Sequence, residues 1–167
     1  MVGAAKLNVD VYEEVEADST ATSQAMAVVL LSSVAAGIGS AALGAGVIAS
    51  AIVALLSWVS WAFLTYFVGT RLFPEPQTHA DTGQLMRTLG FAQSVGVLRV
   101  FGGVPVLGSL LLGVVSVWML VAMVIAVRQA LDYTSTWRAF AVVVVAWLMV
   151  IVPAVLLLGL FGTATEG

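Results

Sequence analysis

Charged residues fall in a few short patches along this chain, and the apolar runs between them set its architecture. No charge occurs from Ser19 to Thr70, a run of 52 residues. A helix needs roughly 20 apolar residues to cross about 30 Å of hydrocarbon. The run therefore predicts two spans, at 24–43 and 47–70, turning at Leu43-Gly44-Ala45-Gly46, where paired glycines free the backbone. Two more uncharged runs, 100–127 and 139–165, predict one span each, at 105–127 and 139–161.

The stretch GQLMRTLGFAQSVGVLRVFGG, residues 83–103, is harder to place because it is only moderately apolar and carries Arg87 and Arg99. The helix between those arginines rises about 18 Å, and snorkelling would carry both guanidinium groups to the interfaces. The alternative is an interfacial helix or a re-entrant half-span. Cytoplasmic loops carry an excess of Lys and Arg. Five spans put Lys6, Arg71, Arg87, Arg128 and Arg138 on one side and leave Arg99 opposite. With four, Lys6, Arg71, Arg87 and Arg99 oppose Arg128 and Arg138. The expectation is an all-α membrane bundle of five spans, the third short or re-entrant, with a cytoplasmic amino terminus. Four spans plus an interfacial helix is the alternative.

Composition agrees with a lipid-embedded chain. Only 9% of residues are charged and mean hydropathy is +1.10, whereas soluble domains carry about 25% charged residues. The net charge of −3 comes mostly from the tail, where Asp10, Glu13, Glu14, Glu16 and Asp18 face only Lys6. There is no basic stripe, which argues against nucleic-acid binding. The absence of cysteine excludes disulfides and thiolate metal sites. Because the first 22 residues are polar and acidic, the first apolar run reads as a retained signal anchor. Residues 1–22 form an acidic tail, 23–162 the membrane domain and 163–167 a short end. Leu7, Val11 and Val15 recur every four residues and predict a short amphipathic helix in the tail, docked on protein or resting on its own bundle.

Within the spans, Gly37/Ala41 and Ser40/Gly44 follow the small-xxx-small spacing, which serves a dimer face or packing inside the chain. Trp58, Trp61, Trp118 and Trp147 fall near mid-span, away from an interfacial belt, and are expected to pack against protein, lipid tails or a hydrophobic cofactor. Pro153 is expected to kink the last span. The only histidine, His79, lies in a loop, so haem or pigment ligation is not expected. No carboxylate pair, phosphate loop, catalytic triad or metal-ligand spacing is present, and an enzyme, a cofactor and a metal are all unexpected.

Arg128, Asp132 and Arg138 cluster between the last two spans, in AVRQALDYTSTWRAF. Arg128 suits a helix carboxyl end and Asp132 opposes it, so Asp132 calls for a further partner such as Arg138. Alternatively Asp132, Thr134 or Ser135 caps the next helix. With Arg71, Asp81 and Arg87 these residues make either one ionic cluster or separate orienting charges.

Three stretches, WAFLTYFVGTRLF (61–73), ADTGQLMRTLGFAQSVGVLRV (80–100) and VRQALDYTSTWRAF (127–140), resemble the bacterial branch of the Yip (Ypt-interacting protein) membrane family. VYEEVEADSTATSQA (11–25) resembles the lead-in of those proteins. The resemblance implies a five-span helical domain in a bacterial inner membrane, with Asp81, Arg87, Gly90, Arg128, Asp132 and Arg138 needed by its architecture. Eukaryotic members act in trafficking and bind Rab-type GTPases. This chain has a shorter tail and reads QSVG where relatives often have proline. The leading expectation is a non-enzymatic scaffold or accessory subunit binding membrane proteins or itself. The alternatives are a small transporter, channel or lipid-handling protein with a cavity at Arg87 or Arg99, and a GTPase-linked trafficking factor.

Overall fold

The computed structural model describes residues 1–39, 47–105 and 107–162, with side chains for all of these except 47–50 and 157–162. The expected turn at 43–46, the Gly37/Ala41 and Ser40/Gly44 pairs and the end segment 163–167 lie wholly or partly outside them.

The described chain is helical. Two short helices, α1 (Val2–Ala5) and α2 (Val9–Ala17), precede α3 (Ala21–Gly39) and α4 (Val47–Phe67), and α4 ends in a π turn, Val68–Leu72. Next comes α5 (Thr82–Ala92), which continues as a 3₁₀ stretch, Gln93–Gly103; α6 (Leu107–Ala130) and α7 (Thr136–Gly162) complete the chain. Four helices, α3, α4, α6 and α7, are long and apolar enough to cross a membrane, and the protein is built as a multi-pass membrane protein. Lipid-facing positions stay apolar, as with Leu56, Leu110 and Val155, each about 60% exposed or more. The last helix continues through Pro153.

The segment 82–103 occupies the centre. Gly90 packs on Ala25, Gly96 on Ser32, and the Arg99 carbonyl on Gly39, so the segment runs parallel to α3 along most of its length. A Cβ at Gly96 would come 2.1 Å from Ser32 Oγ, and one at Gly39 would come 1.8 Å from the Arg99 carbonyl oxygen. Only glycine permits backbones this close. Its other neighbours are α6, which contacts it at Met119 and Leu112, then α4 and α1. Over residues 87–96 it is largely buried by helices, with Leu98 and Phe101 exposed further on, so this part meets little lipid and needs less hydropathy than a peripheral span. That explains its ambiguous sequence.

The loops 73–81 and 131–135 meet at one end of the bundle, where Thr134 bonds to Glu75 and Gln77 to the Asp132 carbonyl. Because 82 starts beside that end and 107 starts at the far end of α6, residues 82–103 traverse the bundle. At about 1.5 Å per α residue and 2.0 Å per 3₁₀ residue the traverse is roughly 38 Å, ample for a bilayer.

The expected tail helix forms, with different bounds. Asn8 caps α2 by accepting from the Asp10 amide at 3.0 Å, so the helix starts after Leu7, which sits at φ 60° between α1 and α2. Its buried face is Tyr12 and Val15, with Val11 half-buried. Tyr12 donates to the Ala4 carbonyl at 3.1 Å and holds α1 against α2. Instead of lying as a free tail, α1 reaches Ser94–Leu98 and Trp118, half-way along α6, and covers the open side of the central segment.

Candidate functional site

The loop end is locked by one buried acid. Pro74 and Pro76 flank Glu75 in the connection after α4, and proline's fixed φ stiffens such a connection. The Glu75 carboxylate accepts from the Thr134 amide (3.0 Å), the Thr134 hydroxyl (2.8 Å) and Gln77 Nε2 (2.5 Å). Arg138 Nε pairs with it at 3.4 Å while Arg138 Nη1 donates to the Pro74 carbonyl at 3.0 Å. These bonds, the Thr134 amide above all, hold the carboxyl below its usual range. Beside it, the α4 π turn leaves the Gly69 carbonyl without a main-chain donor, because its partner five residues on is Pro74. The Tyr133 hydroxyl, 2.8 Å from the carbonyls of both Gly69 and Phe73, supplies the missing donor. Burial raises that phenol to about 12, so it keeps its proton.

Arg87 performs a second tie. Its side chain is 8% exposed and donates through Nε to the carbonyls of Val15 (3.1 Å) and Glu16 (3.2 Å), and through Nη2 to Glu16. These carbonyls end α2, where a cation meets both free acceptors and the negative end of the helix dipole. Gln84 Nε2 donates to Glu16 Oε1 at 2.9 Å, and Gln129 Nε2 to Glu13 Oε1 at 2.8 Å. Burial, then the nearby charge of Asp132, pushes the Glu16 carboxyl up to about 7, against the opposing pull of Arg87.

A cavity of about 440 Å³ opens between the central segment, α3, α4, α6 and α7. Residues three apart eclipse in a 3₁₀ helix, so Gln93, Gly96 and Arg99 share one face, and Gly96 leaves it clear. Gln93 and Arg99 line the cavity with Ser32, Ser33 and Ser57. Trp58, Trp61 and Trp147 form the aromatic part of the wall. Trp58 is fixed there, 4% exposed, by donating to the Met86 carbonyl at 3.0 Å. The Arg99 guanidinium makes no hydrogen bond or ion pair among the described residues. A second cavity of about 360 Å³ adjoins across Ser57 and Trp61, in the groove between α4 and α7, and is lined by Val53, Leu56, Leu64 and Val150.

Against protein-family models, curated proteins and solved structures, the chain has no match. Its site therefore rests on its own geometry.

Of the two arrangements the sequence left open, the single ionic cluster does not form among the described residues. Asp81 instead builds a capping box on α5, its carboxylate accepting from the Gln84 amide (2.9 Å) and its amide donating to Gln84 Oε1 (2.7 Å). Asp132 does not pair with Arg138; it takes φ 53° at the end of α6, leaving its carboxylate exposed. Around it the Tyr133 amide bonds the Arg128 carbonyl (2.9 Å) and the Asp132 amide the Gln129 carbonyl (3.0 Å). This is the bond pair of a left-handed helix stop. Arg128 Nε closes the turn on the Tyr133 carbonyl at 3.2 Å. Arg71 is exposed at the end of the π turn. Gly90 seats Ala25, with Trp58 beside it. Among the described residues no group of His, Asp and Glu could hold a metal.

Glu75 and Gln93 were not singled out by the sequence, and Thr134 was expected only as a candidate helix cap, not as a partner of Glu75. An acid between two prolines was the signal available for Glu75, since the prolines stiffen the connection that presents it. Nothing in the sequence marks Gln93 until the 3₁₀ register brings it into line with Arg99.

Proposed function

We propose that this is a five-crossing membrane protein that binds an anionic ligand in a cavity inside the bilayer, in the small-transporter or lipid-handling class. The observation that carries the reading is Arg99, a cation without a protein partner among the described residues, on the wall of a cavity lined by Gln93 and three serines. Arg99 lies towards one end of the crossing, its carbonyl against Gly39 at the end of α3. At a helix centre an arginine costs about 2.5–3.5 kcal/mol on insertion scales, and arginines within membrane segments are functional groups by default. An anion in the cavity would complete this one. The fifth crossing is supported by the meeting of the loops 73–81 and 131–135 at one end. Arg71, Arg87, Arg128 and Arg138 gather there, supporting a cytoplasmic face for that end.

Titration of the purified protein with butyrate and with inorganic phosphate, read by tryptophan fluorescence, tests the reading. A saturable change is expected that weakens about tenfold or more in Arg99→Gln, the scale of a lost charge-assisted bond. An unaltered response in Arg99→Gln overturns it.

The scaffold reading draws less support, because the small-residue contacts of Gly90 on Ala25 and Gly96 on Ser32 are spent within the chain. Stoichiometric partners on native mass spectrometry from the source membrane would restore it. Kinship with the Yip family is a proposal resting on its motifs and their order. A GTPase-linked role rests on that kinship.

A further inference from the structure

Resting on the anion-cavity reading, we infer the ligand's class. It is an amphiphile with one oxyanion headgroup and a single apolar chain, entering sideways from the bilayer between α4 and α7. Two adjoining volumes carry the inference, the inner one with polar groups set among apolar walls and the outer one mostly apolar. The inner one, about 440 Å³, holds Arg99, Gln93 and serine hydroxyls. At water's share of about 30 Å³ per heavy atom it takes roughly fifteen atoms. That suits a headgroup and the start of one chain. The outer one, about 360 Å³, is an apolar groove reached across Ser57 and Trp61. Its floor is helix surface that otherwise faces lipid, with Val53, Leu56 and Val150 each at least half exposed. A soluble anion would have no use for such an annex. A chain leaving the Arg99 compartment passes over Trp61 into it and meets the bilayer at its own depth.

A carboxylate and a phosphate monoester share this chemistry, and the two sources are a fatty acid and a lysophospholipid. The full chain in phosphatidylcholine nanodiscs is titrated with 9,10-dibromostearate and with a dibromo-acyl lysophosphatidic acid, bromine quenching nearby tryptophan. Dibromostearyl alcohol and butyrate are the controls. Saturable quenching is expected with one or both anions and not with the alcohol, and which anion binds identifies the source. The quenching should fall in Trp61→Phe and persist in Trp118→Phe, since Trp118 lies at the other groove, beside α1. Arg99→Gln is expected to weaken it roughly tenfold to a hundredfold, with Arg99→Lys retaining part. Val150→Trp, which fills the outer groove, should block the long chains and spare butyrate; it serves as the deciding variant if Arg99→Gln does not fold.

Binding of butyrate through Arg99 without binding of the long chains would overturn this inference and leave the anion site standing. Equal quenching by the alcohol would do the same. Quenching that is indifferent to Arg99 together with no butyrate response would overturn both.

Discussion

Arg87 and Arg99 look alike in the sequence, twelve residues apart on one weakly apolar segment, yet the fold gives them opposite circumstances. Arg87 spends its donors on the carbonyls that end α2; Arg99 has none to spend them on among the described residues. The sequence could flag both as charges near a bilayer. It could not distinguish them, because the acceptors of Arg87 are main-chain oxygens more than seventy positions away. The same contact gives a pH prediction. The Glu16 carboxyl rises from 4.5 to about 7 on folding, so between those values the folded state holds a proton that the unfolded state has lost. Stability must then fall as pH rises through this window. The released charge faces Asp132, Glu13 and Asp81, with Arg87 in partial compensation. Glu75 and Asp18 shift the other way; their contributions vanish only at acid pH and leave the window clear. Melting temperature and α2 amide protection are expected to decline from about pH 5 to pH 7.5, with the decline flattened in Glu16→Gln. Equal slopes in the two proteins would rule out the assignment.

Among the elements, the four long helices were legible because lipid imposes a length and a composition that a sequence displays directly. The helix of the tail was legible from its spacing. Its docking partner was not, and Tyr12, the deepest side chain of α2, lies off the Leu7/Val11/Val15 stripe. The central segment was the least legible. Its hydropathy reports its enclosure by protein, and its change from α to 3₁₀ at Gln93 has no marker such as an internal proline. What the sequence does carry is the glycine spacing, which the structure uses for contact with α3. Gly96→Leu would drive a side chain into Ser32 and Met119, both at the contact. Overpacking of this kind costs roughly 1–3 kcal/mol. Gly113 has nothing within 4 Å of an added Cβ, so Gly113→Leu is the matched control and should leave the melting temperature near that of the parent. Comparable losses in the two variants would mean that the α3 contact is not where the stability lies.

At the scale of the whole molecule, the number of crossings decides how every other feature is oriented, and the two topologies differ at an accessible pair of positions. With five crossings the loop at His79 and the loop at Val104 open on opposite faces of the membrane. If 82–103 lies in the interface instead, those loops share a face, and the turn at Thr134 moves to the other. The second arrangement would pull apart Glu75 from Thr134 and Gln77 from the Asp132 carbonyl. Each carboxylate bond lost there is of the charge-assisted kind, worth more than a neutral one, and Glu75 would lose all its bonds to the second loop together. The absence of native cysteine makes the test clean: His79→Cys, Val104→Cys and Ser135→Cys each carry a single thiol. Labelling with a membrane-impermeant maleimide in sealed vesicles of one orientation should modify Val104→Cys from the face opposite to His79→Cys and Ser135→Cys. If His79→Cys and Val104→Cys react from the same face, the central segment does not cross. The arginines would then divide between the two sides, and Arg99 would lie at the water interface, with no bilayer ligand to explain it.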